Sequence, residues 1–196
     1  MSSGKAEAKT ETSFAGRTPE RESSRLFFAL WPDDSLRQQI NLHSKPVLSD
    51  GGGRHVKSAN LHITLAFLGN VDAGQHACVE SVANKLQGSP FTLTIDTAGY
   101  WHKPRILWIG PGSMPDTLVT LATALRDGAV NCGLQMDKRP YNAHMTLMRK
   151  ATKKHVEKSI LPFTWEVNSF VLVRSTSSPE GLVYDVEKKW PLTGID

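Results

Sequence analysis

A His-x-Thr triplet occurs twice in the chain, each time inside an apolar run. The runs are residues 60–69 (NLHITLAFLG) and 143–148 (AHMTLM). Successive side chains of a β-strand point to opposite faces, so the histidine and threonine of each triplet would share one face. If the opposite, apolar face packs on a core, the open face presents an imidazole beside a hydroxyl. Two such strands facing each other would form a cleft that contains His62 and His144.

Chance is the competing explanation of this pattern, with both histidines as ordinary strand residues. One triplet could arise by chance in a chain with 7 histidines. Two copies, each within an apolar run, are much harder to explain in that way. Because histidine is the side chain that most often transfers protons near neutral pH, we interpret the pair as functional.

The composition sets limits but does not name a function. A chain of 196 residues with 39% hydrophobic residues can form one domain with a sizeable core. No apolar run approaches the roughly 20 residues that a membrane-spanning helix needs. The net charge of +4 suits a phosphate-bearing substrate, but Lys and Arg also form solvated surface. The sequence therefore predicts no membrane span and leaves the function to the motifs.

The first residues and the cysteines suggest where the protein resides. Residues 1–24 are polar and lack apolar periodicity, which predicts a disordered tail before a single domain over residues 25–196. They also lack the apolar stretch of about 7 to 15 residues that a secretory signal requires, so we expect a cytoplasmic protein. Cys78 and Cys132 do not have the spacing of a zinc knuckle or a redox pair. We expect them to be buried or free thiols in a reducing cytosol.

Hydrophobic periodicity predicts mixed strands and helices over the rest of the chain. The predicted helices cover residues 34 to about 42, 73–86, 116 to about 132 and, as a short fourth, 151–159. The predicted strands cover residues 25–31, 61–68, 91–95, 105–110, the second His-x-Thr run, and 163–174 with 182–190 as the arms of a closing hairpin. Both halves show an aromatic-rich strand, a helix, a His-x-Thr strand, a helix and a closing strand. We therefore predict a bilobal α+β fold with approximate two-fold symmetry and a central cleft.

The two runs, together with residues 25–30 (RLFFAL), resemble the two-histidine (2H) phosphoesterase superfamily. Within it they are most similar to the bacterial RNA 2′,3′-cyclic phosphodiesterase branch, historically called 2′-5′ RNA ligase. The resemblance covers nearly all of residues 25–190. It implies hydrolysis of a 2′,3′-cyclic phosphate on RNA or a nucleotide to a 2′-phosphomonoester, without metal or cofactor, and we expect a monomer. The chain departs from the family pattern at His55, where Trp is common, and at Ala143, where Pro is common.

Opening a cyclic phosphodiester with water requires a base for the nucleophile and an acid for the departing ribose oxygen. Histidine, with an ordinary pKa of about 6.5, can serve as either at neutral pH. By resemblance, His62 is the acid and His144 the base, although the residues alone do not order them. Thr64 and Thr146 would donate hydrogen bonds to the non-bridging oxygens. Arg149 could hold phosphate or base, but strict alternation places it on the opposite face, so a bend is required.

Two aromatic residues and three other functions complete the hypotheses. Phe27 and Tyr141 could stack on a nucleobase, with core packing as the competing interpretation, which is favoured for Phe27. A 2′-5′ RNA ligase would run the chemistry in reverse with the same histidines, and a non-catalytic RNA-binding module would keep the cleft alone. A metallohydrolase with His62 and His144 as ligands is disfavoured, because neither motif has a carboxylate at a matching position.

Overall fold

The computed structural model describes residues 1, 24–48, 52–152, 158–179 and 181–194. The described strands are β1 (Ser24–Leu30), β2 (Arg54–His55), β3 (Ile63–Val71), β4 (Phe91–Trp101), β5 (Ile106–Gly110), β6 (Met145–Arg149), β7 (Lys158–Val167), β8 (Ser169–Ser178) and β9 (Gly181–Pro191). The helices are α1 (Asp34–Leu48), α2 (Ala73–Lys85) and α3 (Asp116–Asn131), with a 3₁₀ turn at Ser58–Asn60. No helix in the described part of the chain is long and apolar enough to cross a membrane.

The strands form one antiparallel sheet in the order β7-β4-β5-β6-β3-β1-β8-β9, and β2 pairs with β6. At its centre, β3 and β6 meet in one residue pair, Ile63 with Met145. The neighbouring strands form longer ladders. The sheet therefore consists of a His62 half-sheet (β3, β1, β8 and β9) and a His144 half-sheet (β6, β5, β4 and β7), joined at this pair. The predicted α+β architecture with two related halves is confirmed.

The halves of the sequence do not coincide with the halves of the sheet. β4 follows the first His-x-Thr strand in sequence but pairs with β5 in the His144 half-sheet. β8 pairs with β1 in the His62 half-sheet. The His62 half-sheet is thus built from both ends of the chain, and the four strands of the His144 half-sheet come from its middle, residues 91–167.

Several predicted boundaries need correction. The predicted arm 163–174 is wrong as a single strand, because Asn168 separates β7 from β8 and the two strands pair in different half-sheets. The hairpin with 182–190 is formed by β8 and β9 alone. The predicted helix over 151–159 falls mostly on residues 153–157, outside the described residues, and Lys158 already belongs to β7. The predicted tail, residues 1–24, also lies outside them, apart from Met1 and Ser24.

Helix α3 buries the whole apolar stripe that its periodicity predicts, namely Leu118, Leu121, Ala122 and Leu125. The stripe predicted for α2 is buried only in part. Val79 and Ala83 are buried, whereas Val82 and Leu86 are half-buried. The two helices pack closely at Gly128, where an added Cβ would lie 2.3 Å from a methyl group of Val82. A larger residue at Gly128 would force the Val82 side chain or the helices to shift.

This helix contact also corrects the prediction for the cysteines. Cys78 of α2 and Cys132 at the end of α3 form a disulfide, with their Cα atoms 5.8 Å apart. That separation lies within the normal range for disulfides. The expectation of free thiols is therefore wrong.

Candidate active site

His62 and His144 each lie one residue before a strand, since β3 begins at Ile63 and β6 at Met145. Ile63 and Met145 form the pair that joins the half-sheets. If this antiparallel register is extended by one residue each way, His62 lies opposite Thr146, and His144 lies opposite Thr64. Directly opposite residues share a face, and His62 and Thr146 line one cavity. The fold brings the two triplets together in crossed pairs.

The same backbone contact orients both imidazoles. Nδ1 of His62 lies 2.7 Å from the carbonyl oxygen of Asn60, and Nδ1 of His144 lies 2.9 Å from that of Asn142. A carbonyl oxygen can only accept a hydrogen bond, so we assign the Nδ1 proton to each ring. Nε2 is then the nitrogen that takes up or releases a proton. Each ring can act as a base when neutral and as an acid when protonated.

Three aromatic rings surround His62. Trp31 stacks on the imidazole with ring centres 5.6 Å apart, and Phe27 lies at 4.9 Å. Tyr184 of β9 meets the imidazole edge-on at 5.3 Å. Burial lowers the pKa of His62 from 6.5 to about 4, and the charges of Arg149 and His144 act in the same direction against the Asn60 hydrogen bond. His62 is therefore neutral at pH 7.

His144 has a more open environment, with Trp101 as its one close aromatic neighbour among the described residues. Trp101 meets its ring edge-on, with centres 4.4 Å apart. Burial lowers the pKa of His144, the hydrogen bond to Asn142 opposes this, and the charge of Arg149 lowers the pKa further. A phosphate anion bound beside the two rings would raise both pKa values, because an opposite charge favours the protonated imidazole.

A β-bulge in β6 turns Arg149 toward the histidines. The register of β6 against β5 skips Leu147, and Leu147 and Met148 are both buried. One extra residue reverses the alternation that follows it. Arg149 consequently lines the cavity that contains Thr146, and its charge lowers the pKa of both histidines. This bulge is the bend that the sequence analysis requires.

The cavity is open to solvent and encloses about 620 Å³ of empty space, part of which is open solvent. Its lining residues are Arg54, His55, Val56, Lys57, Asn60, His62, Thr146, Arg149, Gly181, Leu182 and Tyr184. Arg54, Lys57 and Arg149 carry positive charge, and none of the lining residues is acidic. Because a site of this charge attracts anions, a phosphate group is a suitable ligand.

The two predicted stacking residues lie in different places. Phe27 is only 3% exposed and packs against His62 and Tyr184. Tyr141 packs against the main core, and its buried hydroxyl has no hydrogen-bond partner among the described residues. Burial raises the pKa of the Tyr141 phenol. Tyr141 is not one of the residues lining the cavity, and stacking by either residue stays a prediction.

Four residues that the fold places beside the site were not predicted from the sequence to have a role there. Trp31, Trp101 and Tyr184 contact the imidazoles, and Arg54 lines the cavity. Trp31 did have a signal in the sequence, because it ends the aromatic-rich predicted strand that precedes the first helix. Arg54 follows three glycines in a loop-like stretch, where periodicity says nothing about side-chain direction.

Comparisons with known proteins agree with this geometry. The family model described as 2′-5′ RNA ligase superfamily matches residues 32–179. A protein of Escherichia coli K12 named RNA 2′,3′-cyclic phosphodiesterase is 36% identical over 177 residues, which cover 88% of this chain and 98% of that protein. A protein of the same name from Archaeoglobus fulgidus is 30% identical, with 82% and 96% covered.

Solved structures agree as well. The crystal structure of E. coli LigT complexed with 3′-AMP has a TM-score of 0.82 and 34% identity, with 88% of this chain and 99% of that chain covered. A Thermus thermophilus crystal structure has a TM-score of 0.74 and 27% identity, with 87% and 98% covered. The fold, the paired motifs and the family match lead to one conclusion: the chain belongs to the 2′-5′ RNA ligase superfamily.

Proposed function

We propose that the protein hydrolyses 2′,3′-cyclic phosphodiesters at RNA ends to 2′-phosphomonoesters, with His62 and His144 as the acid and base and without a metal ion. The observation that carries the proposal is the pair of imidazoles, each held through Nδ1 by a backbone carbonyl; of the two, His62 lines the cationic cavity. The relatives named RNA 2′,3′-cyclic phosphodiesterase support the substrate class.

The reaction needs two proton transfers. Nε2 of His144 takes a proton from water as the water oxygen bonds to phosphorus. The bond from phosphorus to the ribose 3′ oxygen breaks, and Nε2–H of His62 gives its proton to that oxygen. The products are a 2′-phosphate and a 3′-hydroxyl, and a proton must then return from His144 to His62. Each positioned acid or base typically contributes about 10² to 10⁴ in rate.

The pKa of His62 sets a condition on this assignment. An acid must be protonated, whereas a pKa of about 4 leaves His62 neutral at pH 7. The acid role therefore requires that the bound phosphate anion raise this pKa. If the anion does not do so, the neutral Nε2 of His62 is better suited to be the base, and the two roles are exchanged.

Three polar side chains would stabilise the charge that develops on the phosphate. The hydroxyls of Thr64 and Thr146 would donate hydrogen bonds to its non-bridging oxygens. The guanidinium of Arg149 would bind the same group as a charged donor. The proposal also includes a monomer and a cytoplasmic location. The Cys78–Cys132 disulfide counts against that location, because disulfides are rare in a reducing cytosol.

The test is turnover of a short RNA with a 2′,3′-cyclic end, in the presence and absence of EDTA. We expect a 2′-phosphate product, undiminished activity in EDTA, and loss of activity in His62→Ala and His144→Ala. His102→Ala, at an exposed histidine, is the matched control. Binding without turnover would favour an RNA-binding module, and activity lost in EDTA and restored by zinc or manganese would contradict the metal-free mechanism. Joining of the cyclic end to a 5′-hydroxyl RNA would identify a ligase.

A further inference from the structure

A second cationic group lies beside Arg149 on the wall of the cavity. β2 pairs with the end of β6, and the register places Arg54 directly opposite Arg149. Side chains directly opposite each other in an antiparallel pair share a face, and like charges there are destabilising. Neither guanidinium has a carboxylate partner among the described residues. An anion bound between them would relieve this repulsion.

The backbone around β2 fixes the position of Arg54. Beside the two-residue ladder, the amide of Val56 donates to the carbonyl of Leu147 at 2.8 Å. β2 approaches β6 so closely that a Cβ on Gly53 would lie 2.7 Å from the Arg149 carbonyl oxygen. Only glycine permits this approach without a shift of the backbone. Arg54 is thus held opposite Arg149 by the packing of its own strand.

The charge of Arg149 lowers the pKa of both histidines, whereas Arg54 is not among the charges that shift them. β3 and β6 pair only at Ile63 and Met145, after which β2 takes the place beside β6. Arg149 is three residues beyond Thr146, which is at most about 10 Å along a strand. If Thr146 and the histidines hold one phosphate group, Arg54 can bind a neighbouring phosphate. In RNA, that neighbour is attached to the 5′ oxygen of the terminal nucleoside.

Three lining residues from β9 suit the nucleoside itself. These are Gly181, Leu182 and Tyr184, and the Asn60 side chain donates to the Leu182 carbonyl at 3.0 Å, which ties the start of β9 to the 3₁₀ turn. The cavity lining thus combines a cationic group with a largely apolar group. This combination fits a nucleotide with two phosphates, because phosphates bind to cationic groups and the nucleoside packs on apolar ones.

We propose that Arg54 determines substrate specificity by binding a second phosphate, on the 5′ oxygen of the terminal nucleoside, so that cyclic-ended oligonucleotides are preferred to cyclic mononucleosides. The inference rests on the proposed function of the same site. Its chemistry is charge-assisted hydrogen bonding between guanidinium and phosphate, for which arginine is better suited than lysine. The second phosphate comes from an RNA chain or from a 5′-phosphorylated nucleotide.

Three substrates test the proposal, namely adenosine 2′,3′-cyclic phosphate, the same compound with a 5′-phosphate, and the dinucleotide ApA with a 2′,3′-cyclic end. We expect the wild type to prefer the two substrates with a second phosphate. Arg54→Ala should lower their kcat/KM by about 10- to 100-fold, mainly through KM, because the contact binds ground state and transition state alike. Adenosine 2′,3′-cyclic phosphate should lose much less, because it has no second phosphate to contact Arg54 and is affected only through the lower positive charge of the cavity.

Controls separate specificity from folding and charge. Arg54→Lys should lose part of the preference, and Arg139→Ala, at an exposed arginine outside the cavity, should lose none. With an oligonucleotide, the slope of log kcat/KM against log salt should fall by about 0.7 in Arg54→Ala, as expected for one lost phosphate contact.

Each outcome decides a separate question. A loss for the dinucleotide alone assigns the site to the RNA phosphodiester, and a loss for both larger substrates assigns it to any 5′-phosphate. An equal loss for all three substrates, or a wild type without preference, overturns the inference while the proposed function stands. Absence of turnover for all three substrates by the wild type overturns the proposed function.

Discussion

The two His-x-Thr segments have the same backbone geometry around the histidine and threonine. They differ in the side chain that follows on the same face of the strand. In each segment the imidazole Nδ1 donates to the carbonyl two residues earlier. Each strand then bulges after its threonine, since the register skips Leu65 in β3 and Leu147 in β6. The residue that follows each bulge on the cavity face differs, being Phe67 in the first segment and Arg149 in the second.

This difference separates two physical roles. The His62 half-sheet surrounds its histidine with aromatic rings, and Phe67 is 49% exposed beneath the guanidinium of Arg25, which lies 5.1 Å from its ring centre. The His144 half-sheet, with β2 on its edge, supplies the cations Arg149 and Arg54. One side of the cleft therefore removes water from its histidine, and the other supplies positive charge.

The largest expected effect tests whether the two histidines differ in role. His62→Ala and His144→Ala should each lower turnover by about 10² to 10⁴. A substrate with a much better leaving group needs less help from an acid, so it should partly rescue His62→Ala and do little for His144→Ala. Single-turnover rates on aryl-activated and ordinary substrates measure this. Rescue of His144→Ala instead would exchange the two roles.

The next prediction concerns the link between the helices of the two segments. α2 follows the His62 strand and α3 precedes the His144 strand, and the disulfide closes a separation of 54 residues between them. Cys78→Ser with Cys132→Ser should lower the free energy of unfolding by about 2 to 4 kcal/mol, and reduction of the wild type should do the same. Urea unfolding with and without reductant measures this. Turnover below the unfolding transition should not change, because neither cysteine lines the cavity.

The third prediction uses the deeper burial of His62. Its pKa is about 4 in the folded protein and 6.5 ordinarily, so the unfolded chain binds the extra proton between these values. The contribution of His62 to the free energy of unfolding is therefore complete above about pH 6.5. It is lost as the pH falls toward 4, which lowers that free energy by up to roughly 3 kcal/mol. Urea unfolding should show that the free energy of unfolding falls less between pH 7 and pH 4.5 for His62→Gln than for wild type.

The control for this experiment is His102→Gln, because His102 is exposed. This variant should lose as much unfolding free energy between pH 7 and pH 4.5 as the wild type. His144 contributes a loss of the same sign, because its folded pKa is also lowered. An undiminished loss in His62→Gln would mean that the aromatic enclosure does not hold the imidazole neutral.

The smallest effect tests the contrast between Arg149 and Phe67. Arg149→Met should raise the pKa of both histidines, because its charge lowers both, and should slow turnover by about 10-fold or more. Phe67→Leu should leave both pKa values near those of the wild type, because it removes no charge. Histidine titration by NMR measures these shifts. Equal shifts in the two variants would remove the electrostatic distinction between the half-sheets.

The sequence predicts those features that depend on local periodicity. The buried stripe of α3 repeats at helical spacing, and the shared face of each histidine and threonine follows from the period of a strand. The meeting of the two triplets was predicted because the motif is repeated. These features need no knowledge of which strand lies next to which.

The features that the sequence leaves open or misses depend on partners distant in sequence. The face of Arg149 depends on a bulge in the register against β5, and the Cys78–Cys132 disulfide depends on helix packing across 54 residues. The break at Asn168 separates two strands that are continuous in periodicity but pair in different half-sheets. Arg54 becomes a site residue only because β2 attaches to the end of β6.

The backbone acceptors of the two histidines have an evolutionary consequence. In a Ser-His-Asp triad a third side chain orients the imidazole, and one substitution can remove it. Here the acceptors are main-chain oxygens at Asn60 and Asn142, which every amino acid provides. No point mutation at either position deletes the acceptor atom. The orientation of both rings therefore depends on the path of the backbone, and few single substitutions can abolish it.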